Sequence, residues 1–481
     1  MRGFLTSLRV RRRVHPSVFS DELVLDTVFA NVAESFSMNM ELAFLIPVSV
    51  VLGALVLLVV VTVGKKWGQS MQTEEQSKER SEKKANGTVG RTAASKKQTK
   101  QQRLRKERPQ QHAFSHQLLA ASLKAHSGNI SSLDFSSNGK YLASCSEDRT
   151  IRIWSTKDFM EKEHRCIRAN VELDHAVFVR FSPDSRAFIT WLANGETIRI
   201  FKMSKKEDGS ITYIASPEEF SQRHKASVIN IGIADTGKFI MTASNDTTIL
   251  IWNLKGEVMA SINTNQMTNA YATISPCGRF VASCGFTPDV KVWEVCFGKG
   301  GDFKEVTRAF DLKGHSAGVH YFAFSNDSRR MASISKDNTW KLWDTDVEYK
   351  KQQDPYLLMT GNYTVVEPCH IALSPDARVV AISCGNDMAL YNTEDGKLEE
   401  EFHNVHSEDI SDLRFDINSR FVVTTGDRVI RVFHNTPGYR AAIRDMEKML
   451  KKASNSCMRQ RLQQQIKEAK SALNKVCNSR Q

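Results

Sequence analysis

Three histidine–aspartate–tryptophan sets in this chain share one spacing. His126, Asp148 and Trp154 stand 22 and then 6 residues apart, as do His224, Asp246 and Trp252, and His315, Asp337 and Trp343. A fourth set, His406, Asp427 and Phe433, is shorter by one residue. The surrounding text recurs with them as SEDRTIRIW, SNDTTILIW, SKDNTWKLW and TGDRVIRVF. Weaker copies end at Phe201, Trp293 and Tyr391, which makes seven aromatic positions 41–51 residues apart. A unit of that length cannot bury its own apolar face, so it is stable only when stacked against its neighbours. Ser144, Thr242 and Ser333 stand four residues before each aspartate of the three full sets. A lone His/Asp/Ser set suggests a hydrolytic triad. Recurring at fixed period beside a tryptophan, it reads instead as a buried hydrogen-bond network tying a turn to a sheet.

Gly314-His315 and Trp343-Asp344 complete the pattern, and on these residues the chain resembles the WD-repeat β-propeller family. The resemblance implies an all-β, seven-bladed propeller with four antiparallel strands per blade. The last repeat stops after its third strand near His434, and residues 118–123 have the apolar content to supply the missing outer strand and close the ring. Repeats two, four and six carry Gly195, Thr287 and Gly385 where the aspartate belongs. Those blades are expected to be less rigid, with long connections (203–221, 296–302, 346–368) leaving from them or their neighbours. Cys145, Cys284 and Cys384 read as one strand position in three repeats and as small buried hydrophobes.

The flanks differ from this centre. Residues 42–63 form an uncharged run of 22, long enough as a helix to cross a hydrocarbon core of about 30 Å. No lysine or arginine occurs in 22–41, whereas six occur in 65–84, which directs the C-terminal side to the cytoplasm. The expected organisation is an N-terminal non-cytoplasmic segment (1–41), a transmembrane signal anchor (42–64), a basic flexible linker (65–111), the propeller (112–437) and a basic helical hairpin or coiled coil (438–481). The endoplasmic reticulum is the default membrane for such an anchor, and the sequons at Asn86, Asn129, Asn245 and Asn362 should then stay unglycosylated. The Arg-rich, acid-free residues 1–20 support a mitochondrial alternative, and Met38 and Met40 offer later starts, so the presence of 1–37 in the mature protein stays open. The nine cysteines include no C-x-x-C and are odd in number, the pattern of free thiols in a reducing compartment.

The net charge of +12 is unevenly placed: 65–108 carry 14 basic against 5 acidic residues and 440–481 carry 11 against 3. Lys96, Lys97, Lys100, Arg103, Arg105, Lys106 and Arg108 crowd the linker's end. Helical spacing of Ile443, Met446 and Leu450, and of Leu462, Ile466, Ala469, Leu473 and Val476, predicts two helices broken at 454–456. Lys451, Lys452, Arg459, Arg461, Lys467 and Lys470 occupy their other face. Both clusters are candidate contacts for a polyanion such as RNA, or for anionic lipid, without the interleaved aromatics that base stacking needs.

No GxxxxGK[ST], GxSxG, HExxH or metal-spaced Cys/His cluster occurs, so neither catalysis, a metal nor a cofactor is expected. The residues alone describe a docking platform held at a membrane. The runs 103–131 and 287–299 and the basic tail are further similar to a membrane-anchored branch of the WD-repeat family. That likeness implies an endoplasmic-reticulum adaptor of the unfolded-protein response. Its implied partners are the stress-sensing initiation-factor kinase of that membrane, phosphorylated initiation factor and the translation machinery. Two other classes stand beside it: an RNA- or ribosome-binding protein using the basic segments, and a ubiquitin-ligase substrate receptor. The W-D-x-R of such receptors is missing its arginine in Trp343-Asp344-Thr345-Asp346.

Overall fold

A computed structural model describes residues 114–478, apart from 206 and 208–210. The predicted membrane span, the residues before it and the basic linker lie outside the described residues. Among the described residues no helix is long and apolar enough to cross a membrane.

Seven four-stranded antiparallel sheets make up the propeller. Blades one to six span 130–170, 176–219, 228–263, 269–312, 319–362 and 369–402 in chain order. The seventh is composite: the outer strand Leu119–Lys124 pairs antiparallel with Val429–His434, joining the start of the ring to its end. Its Leu119, Ala121 and Leu123 alternate inward, so the ring closes as the sequence predicts and presents no unpaired edge there.

Central strands such as Ile240–Ser244 and Val379–Cys384 are buried at every residue, because neighbouring blades cover both faces of each sheet. Apolar clusters therefore lie between blades; one joins Ala143, Ile153 and Ala169 to Val179 and Phe188 of the next blade. Inner strands of blades one to five each carry a register shift near their start, and the pairing of Cys369–Leu373 with Val379–Cys384 in blade six has none.

Much of the long connections is strand. Residues 203–221 belong largely to the paired strands Ile198–Lys205 and Ile211–Glu219. Those of blade four run out to Phe297 and resume at Phe303, while 346–368 contain the strand Tyr356–Asn362.

Two helices follow the ring, α1 (Thr436–Lys452) and α2 (Ser456–Asn478). Helix α1 begins before residue 438, because the Asn435 side chain caps it by accepting from the Gly438 amide at 3.1 Å and Pro437 sits in its first turn. It docks on blade six through charge. Arg440 pairs with Glu399 and Glu400 at 3.2 and 2.9 Å, Arg444 with Glu399 at 3.1 Å, and Asp445 with Arg378 at 2.7 Å. Helix α2 folds back on α1, burying Leu462 and Ile466, and its Val476 packs against the apolar cluster of blades six and seven.

Candidate docking surfaces

Each full repeat set converges on one buried network. In blade one the Trp154 indole donates to Ser144 Oγ at 2.9 Å, and that hydroxyl meets His126 Nε2 at 2.8 Å. His126 Nδ1 lies 3.0 Å from Asp148. A carboxylate only accepts and the indole only donates, so the proton sits on Nδ1 and Nε2 accepts. Blade five repeats the geometry, with Trp343 to Ser333 at 2.9 Å, Ser333 to His315 at 2.8 Å and His315 to Asp337 at 2.9 Å. In blade three Trp252 donates to Thr242 at 2.8 Å and Thr242 meets His224 at 2.7 Å. There His224 Nδ1 contacts Thr248 at 3.2 Å, and Thr248 in turn donates to Asp246. The direct His–Asp link expected from the sequence thus becomes a threonine relay in that blade.

Burial lowers the pKa of His126, His224 and His315, the neighbouring carboxylates opposing it only in part. For Asp148 and Asp337 burial works toward a higher pKa, but donated hydrogen bonds outweigh it and hold both carboxyls at about 2. Every member is used within the blade, so these sets position loops and hold no nucleophile ready.

The sequence left several members unread. Thr150, Thr248 and Thr339 donate to Asp148, Asp246 and Asp337. In the fourth set the hydroxyl is Thr424, 2.9 Å from His406 Nε2 and the same 18 residues beyond its histidine as in the other sets. The missing residue therefore falls in the turn between Thr424 and Asp427. Arg431, buried at 2%, donates to His406 Nδ1 at 2.6 Å and reaches Asp427 at 3.2 Å. His406 Nδ1 also lies 3.1 Å from Asp427 Oδ1, so imidazole, carboxylate and guanidinium meet in one buried cluster. Phe433, which stands where the other sets have tryptophan, has no indole N–H to give to Thr424.

Two of the three incomplete repeats have their turns filled from elsewhere. In blade two Asp174 accepts from the Gly195 and Asn194 amides at 2.8 and 3.1 Å. In blade four the fully buried Gln266 accepts from Ser283 at 3.0 Å and donates to the Ser283 and Asp289 carbonyls. Blade six keeps neither the histidine nor the hydroxyl. Register also separates its cysteine from the other two: Cys145 and Cys284 lie three residues beyond the residue facing the aromatic, and Cys384 lies four beyond.

Three surfaces remain for partners. The central channel holds a charged ring in which Asp412 accepts from Ser132 and the Leu133 amide at 3.1 and 2.9 Å and from Arg414 at 3.2 Å. Arg180 bridges Ser132 and Asn230 at 2.9 and 2.7 Å. Tyr271 stacks on Tyr321 with ring centres 3.6 Å apart, and cavities of about 560 and 510 Å³ adjoin the ring. Burial raises the pKa of Asp134; it acts the same way on Asp412, but Arg414 and Arg180 overcome it and lower that pKa.

The face bearing the His/Asp turns carries exposed Leu173, Met267, Phe286 and Val366. Leu173 and Met267 have φ of 59° and 62°, strain that a large apolar residue seldom adopts. Beside them Glu147, Glu408 and Asp409 line an acidic notch of about 490 Å³.

Of the predicted polyanion contacts, Lys96, Lys97, Lys100, Arg103, Arg105, Lys106 and Arg108 lie outside the described residues. Lys451 and Lys452 end α1, and Arg459, Arg461, Lys467 and Lys470 line α2, all exposed. Lys470 is drawn into an ion pair with Glu447 at 2.7 Å. Among the described residues no group of His, Cys, Asp or Glu is placed to hold a metal ion.

A ring of seven such sheets with repeated polar networks defines a docking propeller, and the chain belongs to the WD-repeat family. The WD domain, G-beta repeat profile matches residues 118–155, 217–253, 306–344 and 397–434. Over 437 residues the chain is 63% identical to human Transducin beta-like protein 2, covering 90% of this chain and 97% of that relative. The mouse protein of that name is 62% identical over 434 residues, covering 89% and 96%. Rat Apoptotic protease-activating factor 1 is 24% identical over 340 residues, 64% of this chain and 26% of that protein.

Proposed function

We propose that this protein is a non-enzymatic adaptor, anchored by residues 42–63 in the endoplasmic-reticulum membrane with its propeller in the cytoplasm. In this reading it serves the unfolded-protein response by docking the stress-sensing initiation-factor kinase, phosphorylated initiation factor and translation machinery. The observation that carries the scaffold reading is the use of every His, Asp and hydroxyl of the repeats inside its own blade, which leaves three outward surfaces for binding and none poised for chemistry. The high identity to Transducin beta-like protein 2 over nearly its full length supports placing the adaptor beside that protein.

The exposed basic row of α2 favours one second reading, direct contact with ribosomal RNA. Salt distinguishes the two. Phosphate neutralisation by several cations makes affinity fall by orders of magnitude between low and moderate salt, and docking on propeller faces does not. Solubilised microsomes sedimented through sucrose, with and without RNase and at two salt concentrations, test this. A discrete RNase-indifferent, salt-resistant complex containing the kinase is expected. Co-migration with ribosomes that RNase or salt abolishes would replace the scaffold reading with the RNA one.

A further inference from the structure

We propose that Cys369 and Cys384 form a modification site, two thiols facing each other across adjacent strands of blade six that close into a reversible disulfide when a peroxide reaches them. They are direct register partners. The Gly385 amide donates to the Pro368 carbonyl at 3.0 Å just outside the pair, which makes it a pair without hydrogen bonds of its own. Such pairs hold Cα atoms about 4.5 Å apart, within the roughly 4.4–6.8 Å that a disulfide accepts.

The other blades show that this arrangement is particular to blade six. The same strand-end position is filled by Ile130 against Ser146, Val228 against Ser244 and Val319 against Ser335. An apolar residue faces a serine three times, and only here does a thiol stand at both places. Blade six lacks the buried His–hydroxyl network of the full repeats, its turn being held by the exposed His403 and the Asn404 amide on Asp387, and it shares with blade seven an inner strand without a register shift. A covalent tie would fall where the buried His–hydroxyl network of the full repeats is missing.

The surroundings divide the roles. The Cys369 thiol facing it holds the pKa of Cys384 below the usual thiol value, against the burial that opposes this. Cys369, giving its proton to that neighbour in a buried place, is pushed up. The Cys384 thiolate attacks one peroxide oxygen, the O–O bond breaks, and sulfenic acid and hydroxide form. Cys369 sulfur then attacks the sulfenic sulfur and water leaves. In sum, two thiols and one hydrogen peroxide give one disulfide and two waters, the thiols being oxidised and the peroxide reduced. Access is through the channel-end cavity of about 510 Å³, which Cys369 lines.

The full-length protein in mild detergent, treated with hydrogen peroxide, alkylated and digested without reduction, tests the proposal by mass spectrometry. One species is expected, joining the segments of Cys369 and Cys384 and lighter by two hydrogens, which dithiothreitol returns to free thiols. Cys384→Ser, which installs the serine of blades one, three and five, should abolish it. In Cys369→Ser, Cys384 should stop at a sulfenic acid that dimedone traps. Alkylation of both cysteines at peroxide doses that convert the exposed Cys457 and Cys477 would overturn the proposal, as would a bridge from either to any other cysteine.

Discussion

The two aspartate turns of blades five and three allow a comparison within one molecule. Asp337 accepts from His315 Nδ1 at 2.9 Å, from the Ser316 and Thr339 amides at 3.0 and 2.9 Å, and from the Thr339 hydroxyl at 2.6 Å. Among the described residues Asp246 accepts from the Thr248 amide and hydroxyl, at 3.0 and 2.5 Å, with the Ser244 hydroxyl as its further neighbour and no direct histidine contact. A hydrogen bond to a charged acceptor contributes about 1.5–3 kcal/mol, and bonds within one network are less than additive. Asp337→Ala should therefore cost about 4 kcal/mol and Asp246→Ala about 2 kcal/mol. His315 adds to the first figure because its buried Nδ1–H loses a charged acceptor. A difference of about 2 kcal/mol is roughly thirty-fold in the local opening constant. Amide hydrogen exchange of the full-length protein in detergent, followed in peptides covering 335–341 and 244–250, reads both turns separately. Equal loss of protection in the two variants, or a larger loss in Asp246→Ala, would refute the assignment of stability to these donors.

Acid should weaken the fold in two stages. His126, His224 and His315 have folded pKa values below their unfolded 6.5, so the unfolded chain takes up protons first and stability falls as pH drops below about 6.5. Asp148 and Asp337, at about 2 against 3.8 unfolded, add a second loss from about pH 4 downward; a melting temperature that rose between pH 7 and 5 would contradict this. Arg431→Leu, which copies Leu250 of blade three, leaves Asp427 and His406 without their shared donor and should cost about 3–5 kcal/mol, read by thermal unfolding. Leu123→Asp places a charge at a position 1% exposed in the closing strand; it should open the ring and produce aggregates in size-exclusion chromatography, and a monodisperse variant would speak against closure there. Endoglycosidase should leave the mobility of the protein from cells unchanged, and a shift would place at least one of the four sequons in the lumen.

What the sequence disclosed about this propeller depended on whether a residue's partner lies at a fixed distance along the chain. The histidine, hydroxyl, aspartate and tryptophan of one blade are separated by constant counts, so periodicity revealed them, and ring closure followed from counting strands. Thr150, Thr248 and Thr339 stand at an equally constant distance, but threonine is common in strands and drew no notice there. The substitutes Asp174, Gln266 and Arg431 lie outside the repeat's pattern, because geometry asks only that some acceptor or donor reach the turn, whichever strand end supplies it. The channel ring is less legible still: Arg180, Asn230 and Asp412 come from blades two, three and seven and meet only because the sheet circle closes. The thiol pair of blade six shows the same limit from the other side. Its text, AISCG, looks like LASCS and VASCG, yet a tighter turn between Cys384 and Asp387 advances the register by one residue. That single step moves the thiol from a place of inert packing to one facing a second thiol, which is why resemblance of text and resemblance of position part company there.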